Sequence, residues 1–112
     1  MPVVEQRRSQ RFQLQLPLEI LRMGASAVSH TGTTRNISSG GVLFTSDAAV
    51  PIGGAIEYKV TLTDARGIRV NLRCIGKVLR QEKSSVTEPS LPYLVAVTLD
   101  RYEFLRDDSA KN

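Results

Sequence analysis

Residues 68–78 read Ile-Arg-Val-Asn-Leu-Arg-Cys-Ile-Gly-Lys-Val, and this run decides the fold class. Ile68, Val70, Leu72, Cys74, Gly76 and Val78 fall on one face, opposite Arg69, Asn71, Arg73 and Lys77. Alternation with a period of two over that length belongs to a strand with one face in a core and the other in water. Asp64 to Gly67 is a turn leading into it, and before the turn Ile56, Tyr58, Val60 and Leu62 alternate with Glu57, Lys59 and Thr61 as a neighbouring strand.

Toward the N-terminus, Leu14, Leu16, Leu18 and Ile20 alternate with Gln13, Gln15, Pro17 and Glu19, which predicts a first strand. Pro17 has no N–H to give a ladder, so this strand is expected at an edge or with a bulge. Gly24 to Gly32 is small and polar and reads as a connecting loop. A second strand is expected over Thr33 to Ile37 and a third over Val42 to Thr45, joined by the turn Ser38-Ser39-Gly40-Gly41. Pro51, Gly53 and Gly54 mark the loop before the fourth strand.

Toward the C-terminus, Glu82 to Pro92 carries Ser, Thr and Pro and reads as a long loop, followed by Tyr93, Val95, Val97 and Leu99 on one face of a sixth strand. Helix-start signals come next: Asp100 can cap, Glu103 completes a capping box, and Leu99 with Phe104 has staple spacing. The pattern predicts an all-β domain, a six-stranded antiparallel β-barrel with a short C-terminal helix. The expected organisation is an arginine-rich arm over 1–12, the barrel over 13–99 and the helix over 100–107.

A chain of 112 residues has room for one such domain. Its 23% charged and 41% hydrophobic residues are ordinary for a soluble protein. Met1 to Arg8 has no apolar stretch of signal-peptide length, and no segment approaches the ~20 apolar residues of a membrane helix, so a cytoplasmic location is expected. Cys74, the lone cysteine, has no disulfide partner and no second thiolate for zinc, and reads as a small core residue. His30, the only histidine, falls in the expected loop and reads as exposed rather than as a catalytic base. With no Cys/His cluster, no Gly-rich phosphate loop before a helix and no nucleophile elbow, the sequence argues against an enzyme, a metal site or a cofactor.

The formal net charge of +4 favours an anionic partner, and the distribution of that charge is more informative than its sum. Arg7-Arg8-Ser9-Gln10-Arg11 places guanidinium groups where no periodicity asks for them. Arginine's planar fork binds phosphate bidentately, contacts O6 and N7 of guanine and stacks on ring faces. Asn36-Ile37-Ser38-Ser39-Gly40-Gly41 is the second polar element. Asn36 offers a donor and an acceptor, Ser38 a hydroxyl, and Gly41 a backbone open to close approach or to positive φ. Taken singly, each element also fits a bland reading, a solvated arm and a polar hairpin turn.

Taken together, Arg-x-x-x-Arg at Arg7 and Arg11 followed by Asn-x-Ser-x-x-Gly at Asn36, Ser38 and Gly41 resembles the two-part signature of PilZ domains, and the order of strands extends the resemblance over most of the chain. The resemblance implies a bacterial receptor for the second messenger cyclic di-GMP. It also implies that the arginines contact phosphate and stack on guanine, while Asn36 and Ser38 bond a guanine and its neighbouring phosphate. Arg8 and Arg35 lie beside the pattern but outside it. Many family members carry Asp where this chain has Asn36; an amide accepts with one oxygen where a carboxylate accepts with two. Whether one nucleotide or a stacked pair is bound stays open.

The function expected from this resemblance is an adaptor: nucleotide binding changes the conformation of the N-terminal arm, and the protein acts in trans on a protein partner. One alternative is a PilZ-like interaction module that no longer binds nucleotide. The other is a small basic barrel for single-stranded nucleic acid, which needs a stacking platform. Phe12, Phe44, Tyr58, Tyr93, Tyr102 and Phe104 fall mostly at positions assigned to the core or the helix, which leaves no such platform.

Overall fold

A computed structural model describes residues 12–83 and 90–106. It contains β1 (Pro17–Met23), β2 (Ser26–Ser38), β3 (Gly41–Ser46), β4 (Ala55–Thr63), β5 (Arg69–Lys83), β6 (Tyr93–Thr98) and β7 (Arg101–Arg106), all antiparallel in one sheet. The sheet order is β4-β1-β2-β3-β6-β5-β7, and β4 also pairs with β5. The pairings therefore run in a closed circuit, β1-β2-β3-β6-β5-β4 and back to β1. Closing a sheet in this way encloses one face and leaves unpaired only stretches that overhang the circuit, such as the start of β5.

That enclosed face is the core. Leu18, Ile20, Val42, Phe44, Ile56, Tyr58, Val60, Cys74, Val78, Val95 and Val97, one residue in two along their strands, are all buried. The Phe44 and Tyr58 rings meet with centroids 6.1 Å apart. The Tyr58 hydroxyl donates to the Thr98 carbonyl at 3.1 Å, which satisfies the polar end of a buried ring. Burial pushes the Tyr58 phenol well above its ordinary range and the Cys74 thiol up to about 12, so Cys74 is an inert core thiol, as its sequence context suggests.

Three sequence expectations are corrected. First, residues 26–32 are strand, not loop: β1 turns directly into β2 through Gly24 and Ala25, with Met23 opposite Ser26. Gly24 has φ 61°, the left-handed conformation a two-residue hairpin turn requires. Small residues there gave no alternation, because the ladder with β1 holds them and not their own hydrophobicity. His30 thus lies in β2, 3.6 Å from the Asp47 carboxylate. Second, the first strand begins at Pro17, and Leu14 lies 42% exposed. Pro17 is the first residue of β1, where its missing N–H is harmless, and the strand also carries a bulge between Ile20 and Arg22.

Third, no helix follows Leu99: residues 101–106 form β7. The cause is the free edge of β5. β6 pairs with β5 only from Val78 onward, which leaves the N–H and C=O groups of Val70 to Ile75 without a ladder on that side. β7 takes the position, with Arg101 opposite Ile75 and Arg106 opposite Val70, and the Asp100 N–H donates to the Ile75 carbonyl at 2.9 Å. A helix of two turns is marginal on its own, whereas an open ladder supplies partners for the backbone groups that face it and satisfies the exposed edge of β5. Among the described residues there is no helix at all, and so none long and apolar enough to cross a membrane.

Candidate functional site

The second motif sits where β2 turns into β3. Ser38 pairs with Gly41 across the turn, and the Ser38 hydroxyl spans it, accepting from the Gly40 N–H at 3.3 Å and donating to the Gly41 carbonyl at 3.4 Å. The Gly40 carbonyl accepts from the Leu99 N–H at 3.1 Å, which seats the turn against the end of β6. Gly41 does not have positive φ. A Cβ there would stand 2.6 Å from the Val97 carbonyl oxygen, so a glycine is needed for β3 and β6 to pair at this point. Sequence reasoning assigned Gly41 to the ligand; the fold has its own demand for it.

Asn36 reaches the surface through an irregularity in β2. The register shifts between Thr34 and Asn36: Thr34 pairs with Phe44 and points into the core, while Asn36 pairs with Leu43. The extra residue, Arg35, makes this a bulge, and both Arg35 and Asn36 border surface grooves. Bulges of this kind re-aim side chains beside binding sites. Neither side chain makes a hydrogen bond or ion pair among the described residues.

Asn36 and Leu43 stand on the boundary of two adjoining grooves. One, of about 400 Å³, is bordered by Asn36, Ser38, Gly41, Leu43, Leu79 and Arg80. The other is bordered by Gln13, Leu14, Gln15, Arg35, Asn36 and Leu43. That volume falls in the range of small-ligand sites. A smaller hollow between β5 and β7 holds Arg73 and Glu103, but Arg73 is already paired with both Glu57 and Glu103, so it offers an anion little free charge. No group of His, Cys, Asp and Glu able to hold a metal ion occurs among the described residues.

Arg7, Arg8 and Arg11 lie outside the described residues. Their point of attachment is fixed, however. Phe12 and Ile37 exchange two backbone hydrogen bonds, of 2.8 and 2.9 Å. The Leu16 N–H donates to the Thr34 hydroxyl at 2.8 Å, and the Thr34 N–H donates to the Leu16 carbonyl at 3.0 Å. Residue 12 is thereby held beside the residue between Asn36 and Ser38.

Of the sequence-predicted residues, then, Asn36, Ser38, Gly41 and Arg35 come together at one turn, and the arm carrying the others joins the fold next to them. Leu43, Leu79, Arg80 and Ala96 also border the groove and were not anticipated. A signal was available for two of them: alternation in β5 breaks after Val78, where apolar Leu79 follows apolar Val78 directly. The register does shift between Val78 and Arg80: Leu79 points outward, 58% exposed, and the bulge turns Arg80 outward beside it.

The family model for the PilZ domain matches residues 5–103, which takes in both motifs, the turn, all strands through β6 and the start of β7. No curated protein and no solved structure matches the chain.

Proposed function

Since this chain belongs to the PilZ domain family, we propose that it is a cyclic di-GMP receptor whose site is formed by Arg7, Arg11, Asn36, Ser38 and Gly41, with Arg8 and Arg35 at its margin. The observation that carries the reading is the bridge between Phe12 and Ile37, which ties the arginine segment to the Asn36 turn. In this proposal two motifs some 25 residues apart in sequence meet at one groove. On this reading Asn36 bonds a guanine edge, the arm guanidinium groups take phosphate and stack on base faces, and the closed circuit of strands is the barrel that holds both in register.

The protein performs no chemistry in this proposal; PilZ domains are receptor and adaptor modules. Nucleotide binding orders the arm over the groove, and the reorganised surface is read in trans by a protein partner in the bacterial cytoplasm. The arm is cationic and its last residue, Phe12, is bridged to Ile37, and on this reading an anion between the guanidinium groups holds the rest of it over the groove.

Titration calorimetry with cyclic di-GMP, against GMP and a short oligonucleotide, tests the receptor. Saturable binding of cyclic di-GMP alone is expected. Arg7→Ala, Arg11→Ala and Asn36→Ala should each weaken it about tenfold, as loss of one charge-assisted or base-reading hydrogen bond implies. Arg69→Ala, on an exposed position of β5, should leave it unchanged. Equal losses from all these variants would replace specific recognition with general electrostatics. Amide exchange over residues 3–12 with and without nucleotide tests the arm: equal protection in both states would rule out the switch.

A further inference from the structure

The groove beside Asn36 has a second wall on β5. Cross-strand register carries one row over four strands: Asn36 lies beside Leu43, Leu43 beside Ala96, and Ala96 beside Arg80. The row runs three strand spacings of about 4.8 Å each around the circuit. The middle of the row, Leu43 and Ala96, is an apolar floor bordering the same groove. At its far end the β5 bulge stands Leu79 and Arg80 side by side, and Arg80 makes no ion pair or hydrogen bond among the described residues.

We propose that Leu79 and Arg80 are the far wall of the nucleotide site, with Leu79 and the Leu43–Ala96 floor taking the face of a purine and Arg80 its hydrogen-bonding edge. The inference rests on the cyclic di-GMP reading above and adds a second base contact to it, remote from both motifs. A phosphate laid on this floor would lose water and meet no donor from Leu43 or Ala96 side chains, whereas a ring face gives up little. A guanidinium at the margin of a ring face matches O6 and N7 of guanine bidentately, a pairing an ammonium does not reproduce. A groove with a polar side chain at each end suits a ligand with two bases: Asn36 reads one while Arg80 reaches the other.

Calorimetric titration of the full chain with cyclic di-GMP, run on wild type, Arg80→Ala, Arg80→Lys and Leu79→Ala, with Arg69→Ala as control and thermal melts on all, is the test. Arg80→Ala should bind about tenfold more weakly with an unchanged melting temperature. Arg80→Lys should stay several-fold weaker than wild type, and Leu79→Ala should fall between the two alanine variants of arginine. If wild type itself does not bind, the receptor reading and the wall both fall. If wild type binds and Arg80→Ala binds equally well, the wall alone is overturned. Full affinity in Arg80→Lys would overturn the purine-edge contact in favour of a point charge.

Discussion

Gly41 belongs to a motif read as ligand-binding, yet its nearest constraint is the Val97 carbonyl, 2.6 Å from where a Cβ would stand. A methyl group there has to push β3 from β6 at the start of their ladder, since the obstacle is backbone and has no rotamer to change. Gly41→Ala should therefore lower stability by about 1–3 kcal/mol, the usual cost of overpacking. Urea denaturation followed by circular dichroism measures it, and a midpoint equal to wild type would show that the strands have slack here. Gly76 is similar: a Cβ would overlap the Thr98 carbonyl, where β5 passes from β7 to β6. Ser38 differs again, because its hydroxyl is engaged within the turn before any ligand arrives. A residue can thus sit in a functional signature and also be fixed by the fold, so its presence alone does not measure function.

Among the elements, β7 shows how a local signal yields to a tertiary one. Asp100 and Glu103 have the spacing of a capping box, but in the strand Glu103 pairs across to Arg73 and accepts from its guanidinium at 2.9 Å. Arg73 also donates to Glu57, and its hydrogen bonds to both carboxylates, that to Glu57 foremost, raise the arginine above its ordinary range. The two contacts differ in burial: the Glu57 side chain is 16% exposed and that of Glu103 56%. Glu103→Ala should accordingly cost no more than about 1 kcal/mol, as for exposed pairs. Arg73→Ala should cost more, because it leaves the sheltered Glu57 with only the longer contact to Arg22 at 3.7 Å. Denaturation midpoints of the two variants decide it; equal losses would mean that Glu57 gains nothing from its shelter. Tyr102 and Phe104 pack edge to face at 6.1 Å on the exposed side of this strand, a further contact that a helix start at Asp100 would have dispersed.

At the scale of the whole molecule, the site is built from four strands of one circuit, so binding and folding are thermodynamically linked. A ligand that binds only the folded chain adds about 2.7 kcal/mol of stability at a free concentration of 100 Kd. Cyclic di-GMP should raise the melting temperature in a concentration-dependent way, and at the same ligand concentration the rise should fall to about half in Asn36→Ala. Scanning calorimetry measures both, and an Asn36→Ala protein stabilised as much as wild type would detach the ligand from this groove. Arm and circuit contribute unequally to that link: the circuit holds Asn36 and the β5 wall in register, while the arm is tethered to it at Phe12.

The sequence by itself determined the strands whose two faces differ: β4 and the inward positions of β5 and β6 follow from alternation, because one face is buried and the other is wet. It also determined the Ser38–Gly41 turn and the two motifs, whose residue types suit an anionic ligand with flat bases. Where side chains are small, as in residues 26–32, periodicity had nothing to report, and pairing with β1 made the strand. The β7 strand, the two bulges that aim Asn36 and Arg80 outward, and the meeting of Phe12 with Ile37 were decided only by tertiary structure. Each depends on which backbone groups lack a partner once the other strands are in place, and that information lies in the assembled sheet, not in any segment of the chain.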